Sequence, residues 1–290
     1  MFSVIINNYN YGRFIGPAIS SVLAQTFSDF ELIIVDDGST DDSREIIDSY
    51  EDPRIIKILK ANAGQGLALR DGLERARGQW IAFLDSDDRW KPEKLTRCAA
   101  VLSEDKEISY LVHGYETIDG AGAAVSTHEI GRPSGYYDPL PDISRLAFRL
   151  PFVPTSFFCS QRDFVDRVTW DPVQWRICAD LPFMGGLPVL GKTYILNEVL
   201  GEYRLHADNQ FASRNSEREI AKTLAQLYDL ISLHLSSIGD SRRFDFRKTE
   251  FYKSQTVMST SASSFAGIKA RLDYRMTKLL NRLRSTQRTQ

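Results

Sequence analysis

Three carboxylates stand close together in the segment Asp85-Ser86-Asp87-Asp88. At spacings of a few ångströms, their mutual repulsion costs about 1 kcal/mol per pair even in water, and more in a cleft. A divalent cation would remove that cost. Hard oxygen ligands suit Mg²⁺ or Mn²⁺, and both ions commonly bridge to substrate phosphates. Asp and Ser are also ordinary residues of solvated turns and helix caps, so the segment alone leaves a simple turn as the alternative.

Two further polar segments follow apolar runs in the same way. Asp36-Asp37 follows the run Leu32 to Val35, and the loop Asn7 to Gly12 follows the run Phe2 to Ile6. A carboxylate in such a place can accept hydrogen bonds from the N–H of a nucleobase or from a ribose hydroxyl. The alternative for the acidic pair is an Asx turn that leads into a helix.

The elements that must position these residues alternate between strand and helix. Ile81 to Leu84, just before the acidic segment, is apolar without interruption, which is typical of a strand buried on both faces. Four such strand and helix pairs occupy the chain up to residue 103, with short connections. This pattern predicts an α/β fold with a mostly parallel sheet covered by helices on both faces. Ligands collect at the carboxyl edge of such a sheet, where all three polar segments should lie.

The second half of the chain is less regular. Residues 119–141 are rich in Gly, Pro, Ala and Ser, and the pattern predicts one long loop there. Residues 193–204 are predicted to form two short strands on either side of Asn197. The other predicted elements are strands at 108–118 and 155–159 and helices at 180–190 and 217–235.

Composition places the chain among soluble globular proteins, with 42% hydrophobic and 26% charged residues in a length of 290. No uncharged apolar run approaches the ~20 residues that span a bilayer, and no basic region precedes the first apolar run. The three cysteines, Cys98, Cys159 and Cys178, have no CxxC spacing. Reduced thiols are therefore expected in place of disulfides or a zinc site, and the expected location is the cytoplasm.

The end of the chain is basic while the rest is acidic. From Ser241 onward there are 12 Lys and Arg against 3 Asp and Glu. Within this tail, residues 268–284 alternate apolar and basic residues at helical spacing. Such a helix can lie on an anionic membrane surface at the inner face, or it can pack on the body or on a second copy of the chain. Nucleic acid is disfavoured as a partner because the acidic body would repel phosphates.

Five motifs in order identify a family resemblance. The chain closely resembles the family 2 glycosyltransferases of the GT-A fold, densely over residues 2–95 and more sparsely to about residue 210. The motifs are Val4-Ile5-Ile6-Asn7-Asn8-Tyr9-Asn10, Ser20-Ser21-Val22-Leu23-Ala24-Gln25-Thr26, Val35-Asp36-Asp37-Gly38-Ser39-Thr40-Asp41, Asn62 to Arg70, and Phe83-Leu84-Asp85-Ser86-Asp87-Asp88. The resemblance implies a Rossmann-like central sheet flanked by helices, here with a C-terminal helical extension.

The resemblance also implies which residues bind the donor, a nucleotide-diphosphate sugar. Donor-binding positions match Asn7, Tyr9, Asp36, Asp37, Arg70, Asp85 and Asp88. In the family's DxD motif the second Asp meets a Mn²⁺ or Mg²⁺ ion on the diphosphate, and that residue is Asp87 here. The late segment Tyr203-Arg204-Leu205-His206 resembles the family's Tyr-Arg-x-His, which makes His206 a second predicted metal ligand.

The catalytic base implied by the resemblance is Asp180. The segment Ala179-Asp180 stands where the family usually has two acidic residues, so Ala179 is a departure from the pattern, as is Asp71 where Asn is common. Pro182 lies in the first turn of the predicted helix, so the alternative for Asp180 is a helix N-cap. Attack opposite the leaving group would invert the anomeric centre.

These inferences predict an inverting glycosyltransferase that acts on a glycan or lipid-linked acceptor hydroxyl, as in synthesis of cell-surface polysaccharide or glycolipid. Residues 1–105 would bind the donor, 106–240 would bind the acceptor and carry the base, and 241–290 would form the basic tail. Two alternatives stay open. A sugar nucleotidyltransferase would be expected to have a Gly-rich, basic phosphate loop after the first strand, and a non-catalytic nucleotide-sugar-binding protein would bind donor without turnover.

Overall fold

The structure is a computed structural model, and it describes residues 1–139, 153–206 and 217–239. All of them belong to one compact unit. Within the described ranges, no helix has the length and apolar character needed to cross a bilayer. The predicted amphipathic helix at 268–284 and the rest of the basic tail lie outside the described residues.

The first half of the chain builds the parallel part of the sheet. Its strands are β1 (Phe2–Asn8), β2 (Phe30–Asp37), β3 (Ile55–Lys60) and β4 (Trp80–Asp85). They lie side by side in the order β3-β2-β1-β4, all parallel. The register puts Asn7 beside Asp85 and Asn8 beside Asp36. The polar strand ends therefore meet at one edge, as the sequence predicted.

Helices cover both faces of this sheet because successive side chains of a strand point in opposite directions. In β1, Val4 and Ile6 pack into one hydrophobic cluster and Ile5 into the other. The first cluster contains residues of α1 (Gly12–Leu23), α2 (Ser43–Asp48) and α4 (Lys94–Glu104), whereas α3 (Gln65–Arg75) packs in the second. Two apolar faces explain why the strands are apolar without interruption.

The second half of the chain extends the same sheet with mixed directions. The strand β5 (Arg89–Trp90) is followed along the chain by β6 (Ile108–Ile118), a 3₁₀ turn at Thr155–Phe157, β9 (Phe158–Gln161) and β10 (Lys192–Arg204). Strand β9 lies antiparallel between β4 and β6, and β10 runs parallel to β6. Helices α5 (Arg162–Val165), α6 (Leu181–Leu190) and α7 (Glu217–Ser237) pack in the same cluster as α3.

Three predicted elements differ from the structure. The strand predicted at 155–159 begins instead as the 3₁₀ turn, and β9 starts only at Phe158. The predicted loop at 119–141 contains β7 (Ala124–His128), paired with β6, and β8 (Gly135–Tyr137), paired with β10. All five residues of β7 are exposed, so this strand has no apolar alternation to reveal it. The two strands predicted around Asn197 are one strand, β10, with shifts of register between Leu196 and Gly201. A bulge keeps the strand paired where its sequence pattern breaks.

Candidate active site

A cavity of about 680 Å³ opens at the carboxyl edge of the sheet. Its wall combines the ends of β1 and β4, the loop before α3, the turn before β9 and the segment before α6. This is the place where the three polar segments of the sequence were expected to meet. The lining residues named by the sequence prediction are Asn7, Tyr9, Asp37, Asp85, Asp87 and Asp180.

The acidic segment after β4 forms a tight cluster. One carboxylate oxygen each from Asp85, Asp87 and Asp88 lies within 4.8 Å of the others. Burial raises the pKa of Asp85 well above its usual range, with repulsion from Asp87 and Asp180 adding to the effect. Burial also raises the pKa of Asp88, followed by repulsion from Asp87 and Asp85. Burial and mutual repulsion make three ionised carboxylates unfavourable here, and a bound cation would offset that cost. Carboxylate oxygens are the ligands that hard divalent cations such as Mg²⁺ or Mn²⁺ prefer.

The members of this cluster face in different directions. Asp85 and Asp87 line the cavity, whereas Asp88 is 1% exposed and lies behind them. The carboxylate of Asp88 accepts hydrogen bonds from the Ser156 hydroxyl at 2.6 Å and the Arg204 backbone N–H at 2.9 Å. Asp88 therefore supports the cluster from the interior, and its predicted contact with the donor gains no support from this position.

His206 lies beside the cluster. Its Nε2 is 2.9 Å from Oδ2 of Asp87, and its ring packs on Phe14 and Tyr11 with centroids 4.7 and 5.7 Å away. Among the described residues, the group of possible metal-ligand atoms within 4.8 Å of one another contains Asp85, Asp87 and Asp88 but not His206. The structure thus brings the two predicted metal ligands into contact, while a metal-binding role for His206 stays a prediction.

Asp180 lines the cavity on the side formed by the second half of the chain. It directly precedes α6, yet its side chain makes no capping hydrogen bond to that helix. Oδ2 instead accepts a hydrogen bond from the Thr155 hydroxyl at 2.7 Å. Burial raises the pKa of Asp180, although the hydrogen bond from Thr155 opposes the rise. The geometry favours a cavity-facing carboxylate over the N-cap alternative.

The two acidic residues at the end of β2 have separate surroundings. Asp36 is fully buried and accepts hydrogen bonds from Asn8 at 2.9 Å, Arg44 at 2.7 Å and the Ser39 N–H at 3.0 Å. Burial opposes ionisation of Asp36, but these hydrogen bonds outweigh it and lower its pKa. Asp36 does not line the cavity, because its side chain holds the loop after β2 together. Its predicted contact with the donor therefore gains no support.

Asp37 does line the cavity and shapes it as well. Its two carboxylate oxygens accept the backbone N–H groups of Ala63 at 2.9 Å and Gly64 at 2.8 Å. This fixes the loop before α3 against the end of β2. An ionised carboxylate offers about four lone-pair sites, so Asp37 can still accept from a ligand. Nearby, Oδ1 of Asn7 is buried without a hydrogen-bond partner in the described part of the chain, and a ligand N–H would satisfy it.

The structure places Arg70 away from the cavity and another arginine, Arg176, in its wall. Arg70 lies outside the cavity wall, and its guanidinium donates to Asp71 at 2.6 Å and lies 3.5 Å from Glu74. Asp71, the residue that departs from the family pattern, thus pairs with Arg70. Arg176 is the one basic side chain among the described residues that line the cavity. Sequence reasoning missed Arg176 because a single exposed Arg in a loop carries no pattern.

The other departure from the family pattern, Ala179, has a packing explanation. Its side chain is fully buried in the cluster beneath the cavity, where an acidic side chain would be desolvated. The backbone N–H of Ala179 donates to Oε1 of Gln65 at 3.2 Å, and the Gln65 N–H donates to the Arg176 carbonyl at 2.9 Å. The segment that carries Asp180 is thereby tied to the start of α3.

Known proteins give matching findings. The model of glycosyl transferase family 2 matches residues 3–167. An uncharacterized glycosyltransferase of Nostoc sp. is 39% identical over 267 residues, which cover 87% of this chain and 82% of the relative. The putative teichuronic acid biosynthesis glycosyltransferase TuaG of Bacillus subtilis is 32% identical over 238 residues, which cover 81% of this chain and 90% of TuaG. The crystal structure of Staphylococcus aureus TarS 1-349 in complex with UDP-GlcNAc shares the fold with a TM-score of 0.65, at 20% identity, covering 81% of this chain and 66% of that one.

Proposed function

The chain belongs to the family 2 glycosyl transferases, and on that premise we propose that it is a metal-dependent, inverting enzyme that uses a nucleotide-diphosphate sugar. The observation that carries this proposal is the single cavity wall shared by Asp85, Asp87 and Asp180. A cation-holding group and a candidate base thus face one space. The sugar transferred would pass between them, from the diphosphate to an acceptor hydroxyl.

Asp85 and Asp87 would hold the cation, with Asp88 supporting them from behind. A bound Mg²⁺ or Mn²⁺ supplies neutralisation of the negative charge on the departing diphosphate. On the nucleoside side, Asn7, Tyr9 and Asp37 are the predicted contacts that line the cavity. The unpartnered Oδ1 of Asn7 supports its assignment, because an N–H of a base or a ribose hydroxyl can donate to it.

Asp180 is the proposed general base. It would remove the proton of the acceptor hydroxyl as that oxygen attacks the anomeric carbon, a form of catalysis that typically contributes about 10²–10⁴-fold. Because the attack comes from the face opposite the leaving diphosphate, the anomeric configuration is inverted. The raised pKa of Asp180 makes it a stronger base than an exposed Asp.

Substitutions at Asp180 and Asp87 separate the role of the base from that of the metal ligand. We expect Asp180→Asn to abolish transfer and to leave donor binding nearly intact, because the amide cannot accept the proton. We expect Asp87→Ala to lose the metal-dependent part of donor binding. Calorimetric titration with a nucleotide sugar, with and without Mn²⁺, measures both effects, and full transferase activity in Asp180→Asn would exclude it as the base.

The donor can be identified without knowledge of the acceptor. Mass spectrometry of UDP-, GDP- and dTDP-sugars incubated with the protein and Mn²⁺ would show slow hydrolysis of the donor that it uses. Binding of a nucleotide sugar with neither hydrolysis nor transfer would favour a non-catalytic binding protein instead. The likeness to TuaG, whose name refers to teichuronic acid biosynthesis, supports a cell-surface glycan or its lipid-linked precursor as the acceptor class.

A further inference from the structure

Two neighbouring residues, Thr155 and Ser156, form hydrogen bonds to the candidate base Asp180 and to the acidic cluster Asp85–Asp88. Ser156 is fully buried, and its hydroxyl donates to Oδ2 of Asp88 at 2.6 Å. The same hydroxyl oxygen accepts the backbone N–H of Asp85 at 3.0 Å. The hydroxyl of Thr155 donates to Oδ2 of Asp180 at 2.7 Å. One peptide unit therefore separates the residue that holds the acidic cluster from the residue that holds the candidate base.

The backbone of this turn is itself fixed. The carbonyl oxygen of Ser156 accepts the indole N–H of Trp90 at 2.8 Å and the ammonium of Lys94 at 2.9 Å. Lys94 is fully buried, and its ammonium lies 3.2 Å from the centroid of the Trp90 ring. Both donors belong to the segment that follows the acidic cluster along the chain. The turn at Thr155–Phe157 is thus anchored from beneath the cluster, with little freedom to shift relative to it.

We propose that Thr155 and Ser156 are positioning residues that set the Asp180 carboxylate and the Asp85–Asp88 cluster in one fixed relation. This inference rests on the proposed function for its catalytic meaning. Ser156 orients the carboxylates that hold the cation, and Thr155 orients the carboxylate that accepts the proton. Ser156 does not line the cavity, so it acts through the carboxylates, whereas Thr155 lines the cavity wall beside Asp180.

The relation matters because the acceptor oxygen must lie within reach of the base and in line with the bond to the diphosphate. A displacement of about 1 Å can cost ~10²-fold in rate. Removal of a group that orients a metal ligand typically costs about 10–100-fold in metal affinity or activity. The Ser156 hydroxyl bonds to Asp88 and to the backbone N–H of Asp85, whereas the Thr155 hydroxyl bonds to Asp180 and also interacts with the Asp85 carboxylate. Removal of the Thr155 hydroxyl should therefore act mainly on the base, and removal of the Ser156 hydroxyl on the cluster.

Three variants test the assignment, each hydroxyl deletion with a matched control. Thr155→Val removes the hydroxyl and keeps the shape of the side chain, and Thr155→Ser restores a hydroxyl. The control is Thr193→Val, because Thr193 is buried with no hydrogen-bond partner for its hydroxyl within the described ranges. Ser156→Ala is matched by Ser160→Ala, since Ser160 is equally buried but donates to the Ser109 carbonyl at 2.6 Å, away from the carboxylates.

Two measurements separate the two roles. Calorimetric titration with Mn²⁺, alone and with UDP, should show about a 10–100-fold weaker Kd for Ser156→Ala and a clearly smaller change for Thr155→Val. Turnover of the donor found by screening should show at least about a tenfold lower kcat for Thr155→Val with a nearly unchanged donor KM. Thr155→Ser should recover most of this loss. Both controls should retain wild-type values.

Wild-type Mn²⁺ affinity in Ser156→Ala, or wild-type kcat in Thr155→Val, would overturn the corresponding role. A loss in Thr155→Val that Thr155→Ser does not reverse would do the same, because it would show that packing alone is involved. If Ser156→Ala does not fold, the Thr155 variants decide by themselves. Failure of the proposed function has a different signature: the wild type would turn over no nucleotide sugar, while the Mn²⁺ titration would still decide the role of Ser156.

Discussion

The ionisation of Asp180 should govern how activity depends on pH. Burial raises its pKa, and the Thr155 hydrogen bond holds the rise back. The other titratable groups that interact with Asp180 are Asp85, Cys178 and Tyr110. A base works only when ionised, so kcat should fall as pH decreases through the raised pKa of Asp180.

Thr155→Val should change the pH dependence of kcat in a defined direction. Loss of the hydrogen bond that lowers the pKa should move the acidic limb of the kcat profile to higher pH. Thr155→Ser should leave that limb where the wild type has it. The measurement is kcat against pH at saturating donor and constant Mn²⁺. An acidic limb near the ordinary Asp value of about 3.9, or one that is the same in Thr155→Val, would contradict the assignment.

Arg176 and Arg70 are rival candidates for contact with the negatively charged donor. Arg176 lines the cavity, whereas Arg70 bonds to Asp71 outside it. We expect Arg176→Ala to weaken donor binding by about tenfold or more, because a hydrogen bond to a charged group contributes about 1.5–3 kcal/mol. Arg70→Ala, the matched control, should change it by less than about twofold. Isothermal titration with the donor compares the affinities of the two variants. A larger loss in Arg70→Ala than in Arg176→Ala would support Arg70 as the contact to the diphosphate.

At the scale of elements, the contact between the start of α3 and the segment before α6 holds the cavity together. A Cβ at Gly66 would lie 2.2 Å from the carbonyl oxygen of Pro172 and 2.5 Å from that of Trp175. Both are backbone atoms, so they can move away only if the whole segment moves. That segment continues directly to Asp180.

Gly66→Ala should therefore displace Asp180, the proposed base, along with the loop. We expect about a tenfold lower kcat and a loss of about 1–3 kcal/mol in the free energy of unfolding, as for overpacking elsewhere. Gly120→Ala is the control, because the nearest atom to its new Cβ would be 3.9 Å away. Thermal melting and turnover of both variants check this. Equal behaviour of the two variants would show that the loop contact is unimportant.

At the scale of the whole molecule, the charge asymmetry predicts where the protein works. The basic tail from Ser241 onward carries 12 Lys and Arg against 3 Asp and Glu. Each basic residue near an anionic surface contributes about 1 kcal/mol to binding. We expect removal of residues 241–290 to abolish sedimentation with vesicles that contain anionic lipid. The full chain should sediment with these vesicles and not with neutral ones.

This experiment also separates the three roles left open for the tail. Unchanged sedimentation of the truncated chain would exclude the tail as the membrane contact. A change from dimer to monomer on truncation, measured by light scattering without lipid, would indicate that the helix predicted at 268–284 packs on a second copy. Loss of thermal stability alone would indicate packing on the body.

The sequence by itself determined the parallel half of the fold and the edge of the sheet at which the predicted site residues lie. Uninterrupted apolar runs such as Ile81 to Leu84 are local signals, and parallel topology carries all their carboxyl ends to one edge. This is why the positions of Asp37, Asp85 and Asp87 along the chain suffice to predict that they lie near one cavity. The placement of Asp180 in the same wall came from the family resemblance, since no local pattern separates a base from an N-cap.

Only the tertiary structure decided which of these residues face the cavity and what holds them there. Asp36 and Asp88 differ from their neighbours Asp37 and Asp87 because donors distant in the chain, Asn8 and Ser156 among them, bind their carboxylates in the interior. Ser156 lies 68 residues from Asp88 along the chain, so no spacing in the sequence reveals their contact. The exposed strand β7 was missed for a related reason. Backbone pairing stabilises it without burying its side chains, and hydrophobic patterns report only burial.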